Sequence, residues 1–434
     1  MIQYTWLDKE KRLNSACAIG FYAIVYLSKS ADEVYKLLTN NEILLYGKFN
    51  DASAVLSEYK LSLLDCLRAM EKAHKFRFFN FDDFNYLEYE HYEIVESGDL
   101  NWILPNKFIA FCGPHMMSGT DNKGYTHHAP DKYFDYFRQN NVTTIVRLNY
   151  KFYEASSFVD AGFKHHDLIF RDGSTPNDTI LNQFLEICER TDGAIAVHCK
   201  AGLGRTGSLI GAYIMKHYRF TAMETIAWIR LCRPGSVIGH QQQWMEEKQL
   251  PMWIQGESSR RDLKIKEMKV HEIGIYSHKN KSCLDEELLE AKMVQTNDEI
   301  DGVDTEEDDE TATENVDEII SEIQEKSVKK RSRSVTGISE KVDTMKLDDA
   351  NGNLSNKTND RNGNIITAGS SRTLKSRAIS TLIRKIPAGT NTLPTKLPSS
   401  IDSGDSITQG DELNQIKFRR AVNHQRSVTV AVAQ

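Results

Sequence analysis

The 434-residue sequence has no run of about eighteen apolar residues, which argues against a bilayer-crossing helix. Met1 is not followed by a charged region, an apolar core and a cleavage site, so a soluble intracellular protein is the expectation. No CxxC pair occurs. The seven cysteines (Cys17, Cys66, Cys112, Cys188, Cys199, Cys232 and Cys283) are scattered and odd in number, which fits a reducing compartment and excludes a zinc-finger framework. A basic excess is also missing: 54 Lys and Arg face 61 Asp and Glu, and the net charge of −7 gives no global field to argue for nucleic acid. At about 150 residues per domain the length suggests two or three units, or fewer with a tail.

What the chain does contain is Val197-His198-Cys199-Lys200-Ala201-Gly202-Leu203-Gly204-Arg205-Thr206-Gly207. It follows the apolar run Ala194 to Val197 and opens into Ser208-Leu209-Ile210-Gly211-Ala212, which reads as a strand, a tight loop and a helix start. Successive amides in such a loop point inward, and the helix N-terminus adds partial positive charge, so the cradle formed by Lys200, Ala201, Gly202, Leu203, Gly204 and Arg205 suits a tetrahedral dianion. A cysteine beside His198, Arg205 and a helix N-terminus is expected to be a thiolate at neutral pH. Arg205 can hold two equatorial phosphate oxygens through its planar fork, and Thr206 can polarise the sulfur as it leaves.

In chain order, residues 1 to about 80 read as helices, over Ser15 to Leu27, Ala31 to Leu38 and Leu56 to Ala73. They carry an internal echo at a shift of 191 positions, Ile19-Gly20-x-Tyr22 with Ile210-Gly211-x-Tyr213 and Ala31-x-Glu33 with Ala222-x-Glu224, although no thiol or glycine stands upstream of the first copy. From Phe78 to Asn106 seven acids occur without Lys or Arg, interleaved with aromatics; this is either a solvated connecting helix, placed at 81–101, or an acidic groove wall for a basic substrate. Residues 102 to about 258 alternate in the manner of an α/β unit. Strands are expected over Lys107 to Cys112, Thr143 to Leu148, Lys164 to Phe170 and Ala194 to His198, and helices over Tyr133 to Asn140, Pro176 to Arg190, Arg205 to Tyr218, Thr221 to Cys232 and Gln241 to Trp253. Thr175 is the expected cap of the helix that begins at Pro176.

Phosphate transfer to a thiol needs an acid for the departing oxygen, and Asp172, in the loop Phe170-Arg171-Asp172-Gly173-Ser174 before that helix, is the expected donor, with Asp167 as rival. Gln241 and Gln242, at the start of the next helix after the phosphate loop's pair, can orient a hydrolytic water or act as plain helix caps. After about residue 259 the chain reads as a disordered tail, acidic over Glu299 to Glu318 and basic over Lys326 to Arg333, with Lys329-Lys330-Arg331-Ser332-Arg333 a candidate nuclear import signal and Arg372 to Ile386 a candidate partner or membrane-surface helix.

The phosphate loop together with Glu88-Tyr89-Glu90-His91-Tyr92-Glu93, Gly98-Asp99-Leu100-Asn101-Trp102, Asp172-Gly173-Ser174-Thr175-Pro176 and Cys232-Arg233-Pro234-Gly235-Ser236-Val237-Ile238-Gly239 resembles the cell-division-cycle-fourteen family of dual-specificity phosphatases, from about Tyr4 to Trp253. The resemblance implies an α/β catalytic domain, a central sheet flanked by helices over 102–258, behind a degenerate phosphatase-like copy at 1–80 that lacks its sheet. It implies Cys199 as nucleophile, Arg205 as clamp and Asp172 as general acid, and makes Glu90, Glu93 and Asp99 the groove that favours a basic residue after phosphoserine-proline. It also implies no metal or other cofactor, phosphoprotein substrates of cyclin-dependent kinases, action in mitotic exit and cytokinesis, and a place in nucleus and cytoplasm, with nucleolus, centrosome or spindle as family sites; the tail would bind regulators or import factors. Two rivals stand beside this reading, a pseudo-phosphatase scaffold and a phosphoinositide phosphatase. The second would carry a lysine where Leu203 stands.

Overall fold

The computed structural model of the protein describes residues 8–39, 46–53, 57–121, 124–264, 266–280 and 408–417. These lie in a unit made of Met1–Asn280 and Ser371–Gln434; the second unit, Lys281–Ser370, falls outside the described residues, as do the acidic and basic tracts, the import signal and the helix expected at Arg372 to Ile386. In order the elements are α1 (Lys9–Leu27), α2 (Ala31–Thr39), α3 (Leu63–Lys75), α4 (Tyr86–Glu93), β1 (Leu100–Leu104), β2 (Phe108–Phe111), β3 (Gly119–Thr120), β4 (Thr126–His127), α5 (Phe134–Gln139), β5 (Val142–Arg147), α6 (Ser156–Asp160), β6 (Lys164–Asp167), α7 (Asp178–Arg190), β7 (Ala194–His198), α8 (Gly204–Tyr218), α9 (Ala222–Cys232) and α10 (His240–Asp262). A further helix, α11, spans residues 409–417. No described helix is long and apolar enough to cross a membrane.

The main sheet has the order β1-β2-β7-β5-β6, with β1 antiparallel to β2 and the other neighbours parallel. Every residue of β7 is buried, as a central strand covered on both faces requires. Phe111, His198 and Arg147 are in register at the carboxyl ends of β2, β7 and β5. Parallel α/β sheets place their ligands at that edge. This is the expected α/β architecture, a sheet flanked by helices.

The echo at 191 positions extends to three dimensions. Ser28 and Arg219, which are equivalent under the shift, both close their helices in the left-handed region, at φ 53° and 54°. Ser30 and Thr221, likewise equivalent, both receive a glutamate side chain three residues on, Glu33 at 2.9 Å and Glu224 at 2.7 Å from the capping amide. α1 and α2 are thus built as α8 and α9 are built. They are no separate body: one continuous core runs from Leu13 in α1 through the sheet to Tyr276.

Several expected boundaries move for identifiable reasons. The helix expected from Leu56 starts at Leu63, because Ser62 and Asp65 form a reciprocal capping box. α7 is capped by Asn177, whose side chain accepts from the Ile180 amide at 2.9 Å, and Thr175 stays in the loop. The single helix expected at 81–101 is instead α4, a 3₁₀ turn at Val95–Ser97 and the start of β1. Its Glu88 is buried and accepts a hydrogen bond from the Tyr136 hydroxyl at 2.7 Å, so this acid is not a solvated charge. Nor does a loose tail begin at 259. α10 runs to Asp262, and residues 271–277 return to the core, where the His271 amide donates to Phe76 O at 3.0 Å, the Ile275 amide to Phe78 O at 2.8 Å and the Trp102 amide to the Tyr276 hydroxyl at 3.0 Å.

Phe78 joins these layers. Its ring lies edge-on to Tyr218 at 4.8 Å, is stacked on Phe220 at 5.7 Å, and meets Trp228 and His271 at 5.5 and 5.6 Å. Phe78→Ala should therefore lower stability by about 3–5 kcal/mol, read as a lower urea midpoint at unchanged slope; a loss below about 1 kcal/mol would show that the cluster does not tie the N-terminal helices to the sheet domain.

Candidate active site

β7 delivers the chain to Cys199, and the loop 199–203 then turns into α8. Its carbonyls are all engaged from outside. Cys199 O contacts His198 Nδ1 at 3.2 Å, Lys200 O accepts from the Gly113 amide at 3.1 Å, Ala201 O from Arg233 Nη2 at 3.1 Å, and Gly202 O from Arg233 Nε at 2.7 Å. In a trans peptide the amide points opposite to the preceding carbonyl, so the N–H groups of residues 200–203 face the hollow of the loop. Gly202 has φ +66°, and a Cβ there would collide with the Phe111 carbonyl; only glycine lets the loop fold this tightly onto the sheet. No side chain caps α8, which leaves its first amides to the same hollow.

Cys199 lies buried at the floor. Burial pushes its thiol up, but the Arg205 guanidinium and the Thr206 hydroxyl outweigh it, and the thiol sits below its ordinary value. Two polar atoms at the hollow, Arg205 Nε and Thr206 Oγ1, are buried without a nitrogen or oxygen partner among the described residues. Such groups are costly unless a ligand completes them. The rest of Arg205 is fixed: Nη1 donates to Phe170 O at 2.8 Å, and Nη2 is 3.0 Å from Asp172 Oδ1. Asp172 is thus placed across the hollow from the thiol's loop. Asp167, its rival, is instead held bidentate by the buried Arg147 at 2.7 and 2.9 Å, an ion pair that keeps its carboxyl below the usual range and leaves it no part at the cradle.

His198 departs from expectation. Burial drives its imidazole down to about 3, so it is neutral and supplies no positive charge to the thiol. Its ring bridges the Tyr153 hydroxyl, 2.8 Å from Nε2, and the Cys199 carbonyl. It shapes the loop from behind. Gln241 is buried against the loop, where a Cβ on Gly204 would come within 2.7 Å of its Oε1. Gln242 is turned away: Arg230 donates to its Oε1 at 2.7 Å, and its Nε2 donates to Asp51 at 2.6 Å. It ties the 46–53 segment to the turn after α9 and is not placed to orient a water at the cradle.

Of the three groove acids, Asp99 is brought to the loop. It is buried with φ +52°; its Oδ1 is 2.9 Å from Arg233 Nη2, while its Oδ2 accepts from Lys417 Nζ. Glu90 and Glu93 are half-buried on α4. Arg233 itself emerges only in the structure. Besides gripping two loop carbonyls it donates to Asn101 at 2.7 Å, 132 positions away in sequence. Arg147 and Tyr153 behind His198 are likewise assembled from distant segments, with Arg147 donating to the Tyr153 carbonyl at 2.6 Å.

Comparison with known proteins agrees with this geometry. A family profile described as "Dual specificity protein phosphatase, N-terminal half" matches residues 1–73, and one described as "Polymorphic toxin system, DSP-PTPase phosphatase" matches residues 118–219. The chain is similar to dual specificity protein phosphatase CDC14A of Mus musculus, 55% identical over 264 residues that cover 61% of this chain and 44% of the relative. It is similar to CDC14C of Homo sapiens at 49% identity (62% of this chain, 60% of the relative) and to tyrosine-protein phosphatase cdc-14 of Caenorhabditis elegans at 53% (57% and 35%). The chain thus spans about half the length of the curated relatives it matches. The chain combines a cysteine-centred cradle on the carboxyl edge of an α/β sheet with similarity to dual-specificity protein phosphatases named CDC14.

Proposed function

We propose that this chain hydrolyses phosphoserine, phosphothreonine and phosphotyrosine monoesters of proteins through a cysteinyl-phosphate at Cys199. The observation that carries the reading is the donor set aimed into the hollow beside the thiol: loop amides, uncapped α8 and Arg205 Nε. In the first step the thiolate attacks phosphorus, the bond to the substrate oxygen breaks, and Asp172 gives that oxygen its proton. In the second, water attacks the phosphoenzyme, Asp172 takes the water's proton, and the thiolate leaves with Thr206 polarising it. Gln241, beside the loop, is the amide suited to hold that water. Leu203 is buried against Ala52, Ala201 and Ile238, an apolar position that offers no cation to an inositol headgroup.

The substrates we infer are phosphoserine-proline sites with a downstream basic residue, the character of cyclin-dependent-kinase sites, acted on during mitotic exit and cytokinesis in nucleus and cytoplasm. Asp99, already holding a lysine ammonium in the structure, supports such a cation subsite.

Cys199→Ser should abolish phosphate release from such a peptide, and Asp172→Asn should lower kcat by about 10²–10⁴; equal release by wild type and Cys199→Ser would refute the mechanism. Because Arg205 and Thr206 hold the buried thiol below its ordinary value, alkylation of Cys199 by iodoacetamide should rise with pH around a midpoint below that value. Arg205→Met leaves burial and Asp172 unopposed by the guanidinium and should move the midpoint up, whereas His198→Gln, removing a neutral ring, should move it far less. An Arg205→Met midpoint no higher than wild type would contradict the assignment of the clamp. Finally, a lysine at the third position after phosphoserine should improve kcat/KM by about ten- to a hundredfold over alanine, the scale of one charge-assisted hydrogen bond, and the Glu90→Ala, Glu93→Ala double variant should lose most of that preference; an unchanged ratio would remove α4 from the groove.

A further inference from the structure

β6 is an edge strand of the sheet and lies two strands away from β7, which delivers the cysteine, so its His165 has no direct part in the cradle. The His165 side chain is nonetheless only 2% exposed. Its imidazole is packed among aromatic rings, stacked on Phe158 at 6.2 Å and edge-on to Tyr153 at 5.7 Å. Its Nε2 is 2.9 Å from the Tyr153 hydroxyl, and the same hydroxyl is 2.8 Å from Nε2 of His198. One phenol thus stands between two imidazoles, and it has one proton to give.

The direction of every bond in this chain follows from its far end. The Cys199 carbonyl, 3.2 Å from His198 Nδ1, can only accept, so Nδ1 carries the proton. Buried and neutral, the His198 ring then has a bare Nε2, which accepts from Tyr153. With its proton committed, the phenol oxygen can receive only a donor on its other side. That donor is His165 Nε2. Burial and the nearby Arg147 cation hold the His165 imidazole down to about 4, so it too is neutral, and its Nδ1 is bare. Asp167 Oδ1 lies 3.7 Å from that Nδ1, too far for a hydrogen bond. The bidentate grip of Arg147, at 2.7 and 2.9 Å, holds the carboxylate there, and Arg147 Nη1 also fixes the Tyr153 carbonyl at 2.6 Å. A carboxylate in closer contact would draw the ring's proton to Nδ1 and turn Nε2 into an acceptor.

Resting on the phosphatase reading above, we propose that His165 is a positioning residue for the phosphate loop: as a donor to Tyr153 it fixes the tautomer of His198 that pins the Cys199 carbonyl. The peptide after Cys199 is planar, so a carbonyl pinned behind the loop turns the Lys200 amide toward the hollow. Reversal of the chain would set a bare Nδ1 against the Cys199 carbonyl, acceptor against acceptor. The loop would then lose its hold on its first amide, and the loss of one donor aimed at developing charge costs about 10²–10³ in kcat.

The test uses the full chain and three variants: His165→Gln, whose amide still donates to Tyr153; His165→Glu, whose carboxylate beside Arg147 can only accept; and Tyr153→Phe, which cuts the chain. Two readouts are taken. One is kcat/KM on a phosphoserine-proline peptide with lysine at the third position. The other is the site of the proton on each ring, read by NMR of protein labelled with ¹⁵N-histidine, with signals identified by their loss in His198→Gln and His165→Gln. In the wild type the proton should stand on Nδ1 of His198 and Nε2 of His165, a result that needs no variant to fold. His165→Gln should keep the His198 proton on Nδ1 and retain most of the activity, whereas His165→Glu should move it to Nε2 and lower kcat/KM by about 10²-fold. In the Tyr153→Phe background the same His165→Glu change should have little further effect, because the link between the rings is gone. The expected tautomers without turnover in any form would support the chain of bonds and refute the phosphatase reading. Turnover in the wild type with His165 protonated on Nδ1, or with His165→Glu as active as His165→Gln, would overturn the positioning role.

Discussion

A buried thiol held below its ordinary value is the constraint on which the rest of this structure depends. Desolvation alone would hold Cys199 as a neutral thiol. The fold answers with fixed donors: amides turned inward by the outward anchoring of the loop's carbonyls, an uncapped helix start, and one guanidinium. Two arginines divide this labour. Arg205 turns its Nε to the hollow, and Arg233 pulls the Ala201 and Gly202 carbonyls away, which is what aims the neighbouring amides at the hollow.

The second layer explains why the domain has the elements it has. His198, Tyr153 and Arg147 form a buried polar chain beneath the loop, in which a neutral imidazole serves as spacer and Arg147 ends the chain in a bidentate pair with the exposed Asp167. The N-terminal helices, built on the same caps as α8 and α9, bring Asp51 and Ala52 to the far wall through Gly239 and Gln242. The phosphate loop is therefore packed against both the sheet domain and the chain that precedes it, with Ala52 clustered on Ala201 and Leu203. Asp99 links the two tasks of the site, bracing Arg233 with one oxygen and offering the other to a cation.

Much of this was legible in the sequence, for a physical reason: the strand β7, its loop and α8 are contiguous, so the order Cys199, Gly202, Arg205, Thr206 encodes its own geometry. The strand and helix patterns around it likewise locate β2, β5, β7, α2, α5, α7, α8 and α9 to within a few residues, whereas α1, α3 and α10 differ by six to nine residues at one end. What was not legible are the groups whose partners lie far away. Nothing near Arg233 announces Asn101 or Gly202, nothing near Asp167 announces Arg147, and the polar pair Gln241 and Gln242 divides between cradle and Asp51 only when the turn at Gly239 is seen. Nor is the charge of His198 legible, because proximity in sequence says nothing of burial, which sets it. The short segment 408–417 has only Leu413 and Ile416 as apolar residues, too few to mark a helix until the surface that receives them is known.

The central claim is that phosphate passes through Cys199. Rapid acid quenching of the wild-type chain during turnover of a radiolabelled phosphopeptide, followed by peptide mapping, measures this directly. The account expects label on the peptide that contains Cys199, absent from Cys199→Ser; phosphate release with no labelled cysteine, or with label on another residue, would contradict it.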